Sequence, residues 1–196
     1  MKTKSKALLL ALCAVLLVAA SVLGTMAYLT SQDEVTNTFT VGSVSITLDE
    51  AKVNTDGTYV TDKDNRTDKN NYHLLPGHSY IKDPTIHVAA NSEDCWLFVQ
   101  ITDEIAAIQD ADTIAAQLTE NGWTLVNGTT NVYAHNAIAK AGNNVVVFES
   151  FKIKGDIENT ALTAYAGKTI KVIAYAVQAD GFDTAAAAWT AAFAQN

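Results

Sequence analysis

Apolar and polar residues alternate along much of this chain, and shifts in the period divide it into elements. Val35, Phe39 and Val41 share one parity, and after Gly42 the phase changes so that Val44, Ile46 and Leu48 form a second apolar row. Period two predicts strand, and the glycine between the rows predicts a bulge or bend. Further strand-like runs are Pro84 to Ala90, Cys95 to Ile101, Trp123 to Val126, Asn131 to His135, Asn144 to Ile153 and Lys168 to Ala179. Short strands separated by Gly and Asn turns, such as Asn127 to Asn131, predict an all-β antiparallel sandwich.

Two segments depart from period two. Ile105, Ile108, Ala111, Ala115 and Leu118 follow helical spacing, with Asp103 placed to cap the start and "ENG" at Glu120 to Gly122 to stop it. Near the end, "DTAAAAWTAAFA" sets Trp189 and Phe193 four residues apart, which predicts a short helix docked by one aromatic face. Asn54 to Asn71, "NTDGTYVTDKDNRTDKNN", has almost nothing apolar to bury and predicts an exposed hairpin extension or loop.

The first residues belong to a different class. Lys2, Lys4 and Lys6 precede an uncharged apolar run from Ala7 to Leu23, the layout of a signal-peptide helix for export. Small residues allow a cut after Ala20 or after Ala27. The run also approaches the roughly 20 residues that span a bilayer, so an uncleaved anchor is the alternative. Cleavage after Ala27 divides the chain into a signal peptide, 1–27, and one domain, 28–196. It removes three lysines and no acid, which takes the formal charge from -8 to -11. So acidic a chain has no basic patch to recruit nucleic acid or an anionic membrane surface, and membrane contact is expected only for the uncleaved precursor.

Candidate chemistry is sparse. Cys95 is the one cysteine that survives the cut, its apolar flank predicts a buried structural residue, and no intrachain disulfide can form. His73 and His78 flank a Pro-Gly turn in "YHLLPGHSY" and are the candidate metal ligands. Turn and surface positions explain them more simply, and the helical His pair with glutamate of a zinc peptidase is absent. Asp62 to Asp68 clusters oxygen ligands, but Arg66 stands where an EF-hand needs one. With no G-x-S-x-G turn and no phosphate-binding loop either, the sequence predicts no enzyme and no cofactor.

"GTMAYLTSQDEVTNTFTVGSVSITLDE" resembles the leader junction and first strands of the TasA/camelysin family, whose precursors are cut by a SipW-type signal peptidase. The resemblance continues through "LLPGHSYIKDPTIHVAANSEDCWLFVQI" and returns in "VYAH", "VVVFESFKI" and "IAYAVQADGF". It implies a jelly-roll-like β-sandwich, export, a cut between Ala27 and Tyr28, and a secreted protein of the extracellular matrix or cell surface. It further implies biofilm-type fibres built by self-association or with related matrix subunits, each N-terminal strand adding to a neighbouring copy. Val35, Phe39 and Val41 are then the inward set of that strand. The rival is that the strand pairs within its own chain. A monomeric surface adhesin or ligand-binding module is the alternative function, and a camelysin-like metallopeptidase a further one for which no zinc motif is present.

Overall fold

Residues 12–16, 30–33, 44–111 and 114–193 are described by a computed structural model of the chain. Of residues 1–27 only 12–16 falls within them, and it is helical. The cut between Ala27 and Tyr28 and the strand candidates Val35, Phe39 and Val41 lie outside the described residues. No helix among the described residues is long and apolar enough to cross a membrane.

The described chain is all-β, built from antiparallel sheets with a few short helices. A five-stranded sheet runs in the order β1 (Thr30–Asp33), β11 (Ile170–Gln178), β6 (Cys95–Asp103), β8 (Val132–His135) and β7 (Trp123–Leu125). A four-stranded sheet runs β3 (Arg66–Thr67), β2 (Ile46–Ala51), β5 (Thr85–Val88) and β9 (Asn144–Val146), and β4 (Ser79–Ile81) pairs with β10 (Ser150–Lys152). Every pairing between these strands is antiparallel.

Side-chain parity explains how the two larger sheets share a core. Val44, Ile46 and Leu48 meet Leu97, Val99 and Ile101 of β6 and Val172, Ala174 and Ala176 of β11 in one buried cluster. Each large aliphatic side chain taken from water there contributes about 1.5–3 kcal/mol. The other face of the five-stranded sheet is covered as well. Trp96 and Phe98 of β6 and Tyr175 and Val177 of β11 pack under helix α3 (Ala185–Phe193), whose Trp189 and Phe193 rings lie 4.4 Å apart. Double coverage is why "CWLFVQI" reads as a continuous apolar run rather than an alternation.

Two sequence expectations are revised. The helical spacing from Ile105 to Leu118 resolves into a 3-10 turn, Ala106–Ile108, and a helix α1, Ile114–Glu120. The break falls where Gln109 returns to extended backbone to bridge Ile153, and where the Asp110 N–H donates to the Lys152 carbonyl at 2.8 Å. Ile105 rather than Asp103 opens the turn, with no side-chain cap bond, and the Asp103 carboxylate accepts the Ile105 N–H at 3.0 Å. The run Asn144 to Ile153 is likewise two strands in different sheets, separated by the buried Val147 and Phe148. A further short helix, α2 (Asn159–Leu162), continuing into a 3-10 turn at Thr163–Tyr165, precedes β11.

Candidate functional site

Strand β11 has a strand partner on each side. All nine of its residues pair with β6, from Ile170↔Asp103 to Gln178↔Cys95. On its other side lies β1, in the register Asp33↔Ala174 to Thr30↔Val177. Among the described residues β1 is the end strand of this sheet, the position from which a sheet adds a further strand.

A cleft of about 1180 Å³ opens beside Ile170 to Val172. Leu48, Tyr72, Leu74, Phe151, Leu162 and Val172 give it apolar walls. Tyr72 stands edge-on to both Tyr80 and Phe151, with ring centroids at 5.7 and 5.2 Å, and its hydroxyl donates to the Ile81 carbonyl at 3.0 Å. Burial first, and the Glu50 carboxylate second, push the Tyr72 hydroxyl above its ordinary pKa, so it stays a donor.

The cleft also reaches Glu50, Lys82 and Asn70. Glu50 continues the inward parity of Ile46 and Leu48 along β2 and is only 5% exposed, while Lys82, just past β4, is 8% exposed. The Lys82 ammonium donates to Glu50 Oε2 at 2.5 Å, and Asn70 Nδ2 donates to Glu50 Oε1 at 3.0 Å and to the Ala51 carbonyl at 2.8 Å. Asn70 Oδ1 accepts the Val53 N–H at 2.9 Å, so every contact of the carboxamide agrees with one orientation. A buried carboxylate with a paired cation and a second donor meets the condition under which charge is tolerated inside a protein.

The opposite face of β2 carries a second polar cluster. Arg66 Nε donates to Asp49 Oδ1 at 2.8 Å and its Nη1 to Asp83 Oδ2 at 2.6 Å, while His87 Nε2 lies 2.9 Å from Asp49 Oδ1. Arg66 thereby ties the segment from Asn54 to Asn71 back onto the sheet. That segment is a docked extension rather than a free loop. Gly57 sits against β4 at φ +81°, where an added Cβ would fall 2.7 Å from the Tyr80 Cα. Within the extension the Asp62 carboxylate accepts the N–H groups of Asp64 and Asn65 in a turn of its own.

The two candidate histidines both border Tyr80. His78 Nε2 lies 2.7 Å from the Asp56 carbonyl, its ring packs edge-on against Tyr80, and the His73 carbonyl accepts the Tyr80 hydroxyl at 2.6 Å. Among the described residues no group of three or more His, Cys, Asp or Glu side chains is placed to hold a metal ion. Cys95 is fully buried, and burial, with the charge of Asp94 second, pushes its thiol up to about 12, so it lacks the thiolate that redox or nucleophilic work requires.

Glu50, Lys82 and Asn70 were not singled out by sequence reasoning, and Arg66 entered it only as the residue that breaks an EF-hand pattern. One signal was available for Glu50, because the alternation that turns Ile46 and Leu48 inward turns Glu50 inward too. Asn70 and Lys82 stand in locally polar sequence with no such mark. In comparisons with known proteins, no family model, no curated protein and no solved structure matches this chain.

Proposed function

We propose that this chain is a secreted structural protein of the extracellular matrix or cell surface. Its domain, 28–196, is a jelly-roll-like β-sandwich that assembles into fibres through its N-terminal strand once the leader is cut after Ala27. The observation that carries the reading is β1 as the end strand of the described five-stranded sheet, where residues a few positions past Ala27 are held on β11 by ladder pairing from Thr30↔Val177 to Asp33↔Ala174. In the proposed fibre, the N-terminal strand of one copy takes this place beside β11 of the next. Main-chain hydrogen bonds then supply affinity and alternate side chains supply register.

Pairing of β1 with its own β11 is compatible with this scheme, because strand exchange replaces one set of ladder bonds by an identical set in a neighbour. Head-to-tail exchange does not close on itself and produces filaments. An uncleaved leader would tether the strand at the membrane, so a SipW-type signal peptidase acts as the release step.

Electron microscopy of purified protein beginning at Tyr28 tests this reading. Filaments are expected to form with rising concentration and to vanish when Tyr28 to Val41 is deleted. Filaments of normal length from the deleted form would overturn it. A protein that stays monomeric at every concentration and binds a surface ligand would favour the adhesin reading instead.

A further inference from the structure

Three side chains around Glu50 are arranged for a covalent step that neither fibre assembly nor folding requires. The carboxylate of Glu50 holds an amine on one oxygen and a carboxamide on the other, Lys82 Nζ at 2.5 Å and Asn70 Nδ2 at 3.0 Å. Glu50 and Lys82 are more than nine-tenths buried, and Tyr72 lines the same cleft. An ordinary buried ion pair needs no carboxamide held on the second oxygen of its carboxylate. Here the Asn70 carboxamide is fixed at all of its contacts, and the Val53 N–H that binds its Oδ1 at 2.9 Å polarises the carbonyl carbon.

We propose that the folded chain joins Lys82 and Asn70 by an amide bond between their side chains, with Glu50 as the proton carrier. Glu50 takes a proton from the Lys82 ammonium, which frees the Nζ lone pair, and desolvation beside a base is a recognised way of activating a lysine. The amine attacks Asn70 Cγ. The negative charge that gathers on Oδ1 meets the Val53 N–H, a donor already in place before the step. Glu50 gives its proton to Nδ2, the Cγ–Nδ2 bond breaks, and ammonia leaves through the cleft. The new amide nitrogen returns its surplus proton to Glu50. One C–N bond forms and one breaks, no electrons are transferred to or from another molecule, and no co-reactant is needed.

Holding both reactants on one carboxylate supplies the proximity that makes an otherwise slow transamidation feasible. The product exchanges a buried ammonium for a neutral amide, which removes a charge the interior tolerates poorly. It also ties the end of the Asn54 to Asn71 extension to the residue that follows β4, across the Pro76–Gly77 turn.

Intact-mass spectrometry of the denatured full chain reads the bond directly. The wild-type protein is expected to be lighter than its sequence by one ammonia. Trypsin is expected to cut after Lys69 but not after Lys82, so that the fragment carrying the missing mass starts at Asn70 and runs past Lys82. Lys82→Arg, which keeps the cation beside Glu50, and Glu50→Gln are each expected to restore the full mass. Succinimide formation at Asn70, or at the Asn127–Gly128 turn, also expels ammonia, but it would persist in Lys82→Arg and leave Lys82 cleavable. A wild-type chain of full mass overturns the proposal, as does an ammonia loss retained by Lys82→Arg. Should Glu50→Gln fail to fold, the wild-type mass and the Lys82→Arg variant still decide.

Discussion

Asp49 and Glu50 are neighbours in β2 and carry the same charge, yet the pleat turns them to opposite faces and gives them different tasks. Asp49, 29% exposed at the side chain, shares its carboxylate with Arg66 and His87 on the outer face of the four-stranded sheet. Glu50, 7% exposed at the side chain, points into the cleft and meets Lys82 and Asn70. Water can take over most of what Asp49 loses if a partner is removed. It cannot do so readily for Glu50. The difference teaches that burial, more than the number of hydrogen bonds, decides what a charged group costs or contributes.

The contrast can be broken most severely at Lys82. Lys82→Met leaves the Glu50 carboxylate inside without its cation and forestalls the cross-link proposed above, and stability is expected to fall by about 3–5 kcal/mol or more, read as a lower denaturant midpoint. Adding Glu50→Leu to that variant removes the stranded charge and is expected to recover that part of the loss. A single variant as stable as the wild type would mean that Glu50 is better solvated than its burial indicates.

A smaller loss is expected on the outer face. Arg66→Lys keeps the charge but cannot reach Asp49 and Asp83 together, nor the Asp49 and Asp83 carbonyls that Nη2 now meets at 3.2 Å. About 1–3 kcal/mol is expected, with proteolysis concentrated in the Asn54 to Asn71 extension, because Arg66 is its main tie to the sheet. Loss of stability without added cleavage there would assign the anchoring to Gly57 and Tyr80 instead.

The smallest effect is expected at His87, whose Nδ1 and Nε2 lie 2.7 and 2.9 Å from Asn144 Oδ1 and Asp49 Oδ1. His87→Gln keeps a polar side chain there and is expected to change stability by less than about 1 kcal/mol by thermal melting. A larger change would place this half-exposed cluster in the same class as the Glu50 pair.

Much of the fold was legible because its signals are local. The apolar run at Cys95 to Ile101 marks a strand covered on both faces, and Trp189 and Phe193 mark the face by which α3 docks on Tyr175. Where long-range pairing overrode a local period, the reading failed. The spacing from Ile105 to Leu118 is helical, but the bridge from Gln109 to Ile153 interrupts it. The extension from Asn54 to Asn71 looks featureless because its anchors, Arg66 and Asn70, find their partners on strands elsewhere in the chain.

By itself the sequence determined which residues alternate, where turns fall and that the charge balance is acidic. Each of these depends on side-chain parity, backbone propensity or a count of charges, and all three are properties of neighbouring residues. Only the tertiary structure decided that β1 pairs with β11, that a cleft opens beside Tyr72 and Val172, and that Glu50, Lys82 and Asn70 meet. Those outcomes rest on strand register and on contacts between residues 20 and 32 positions apart, as Asn70 and Lys82 are from Glu50. A hydrogen bond across that distance is specified by how the sheets stack, and the local pattern of the chain carries no record of it.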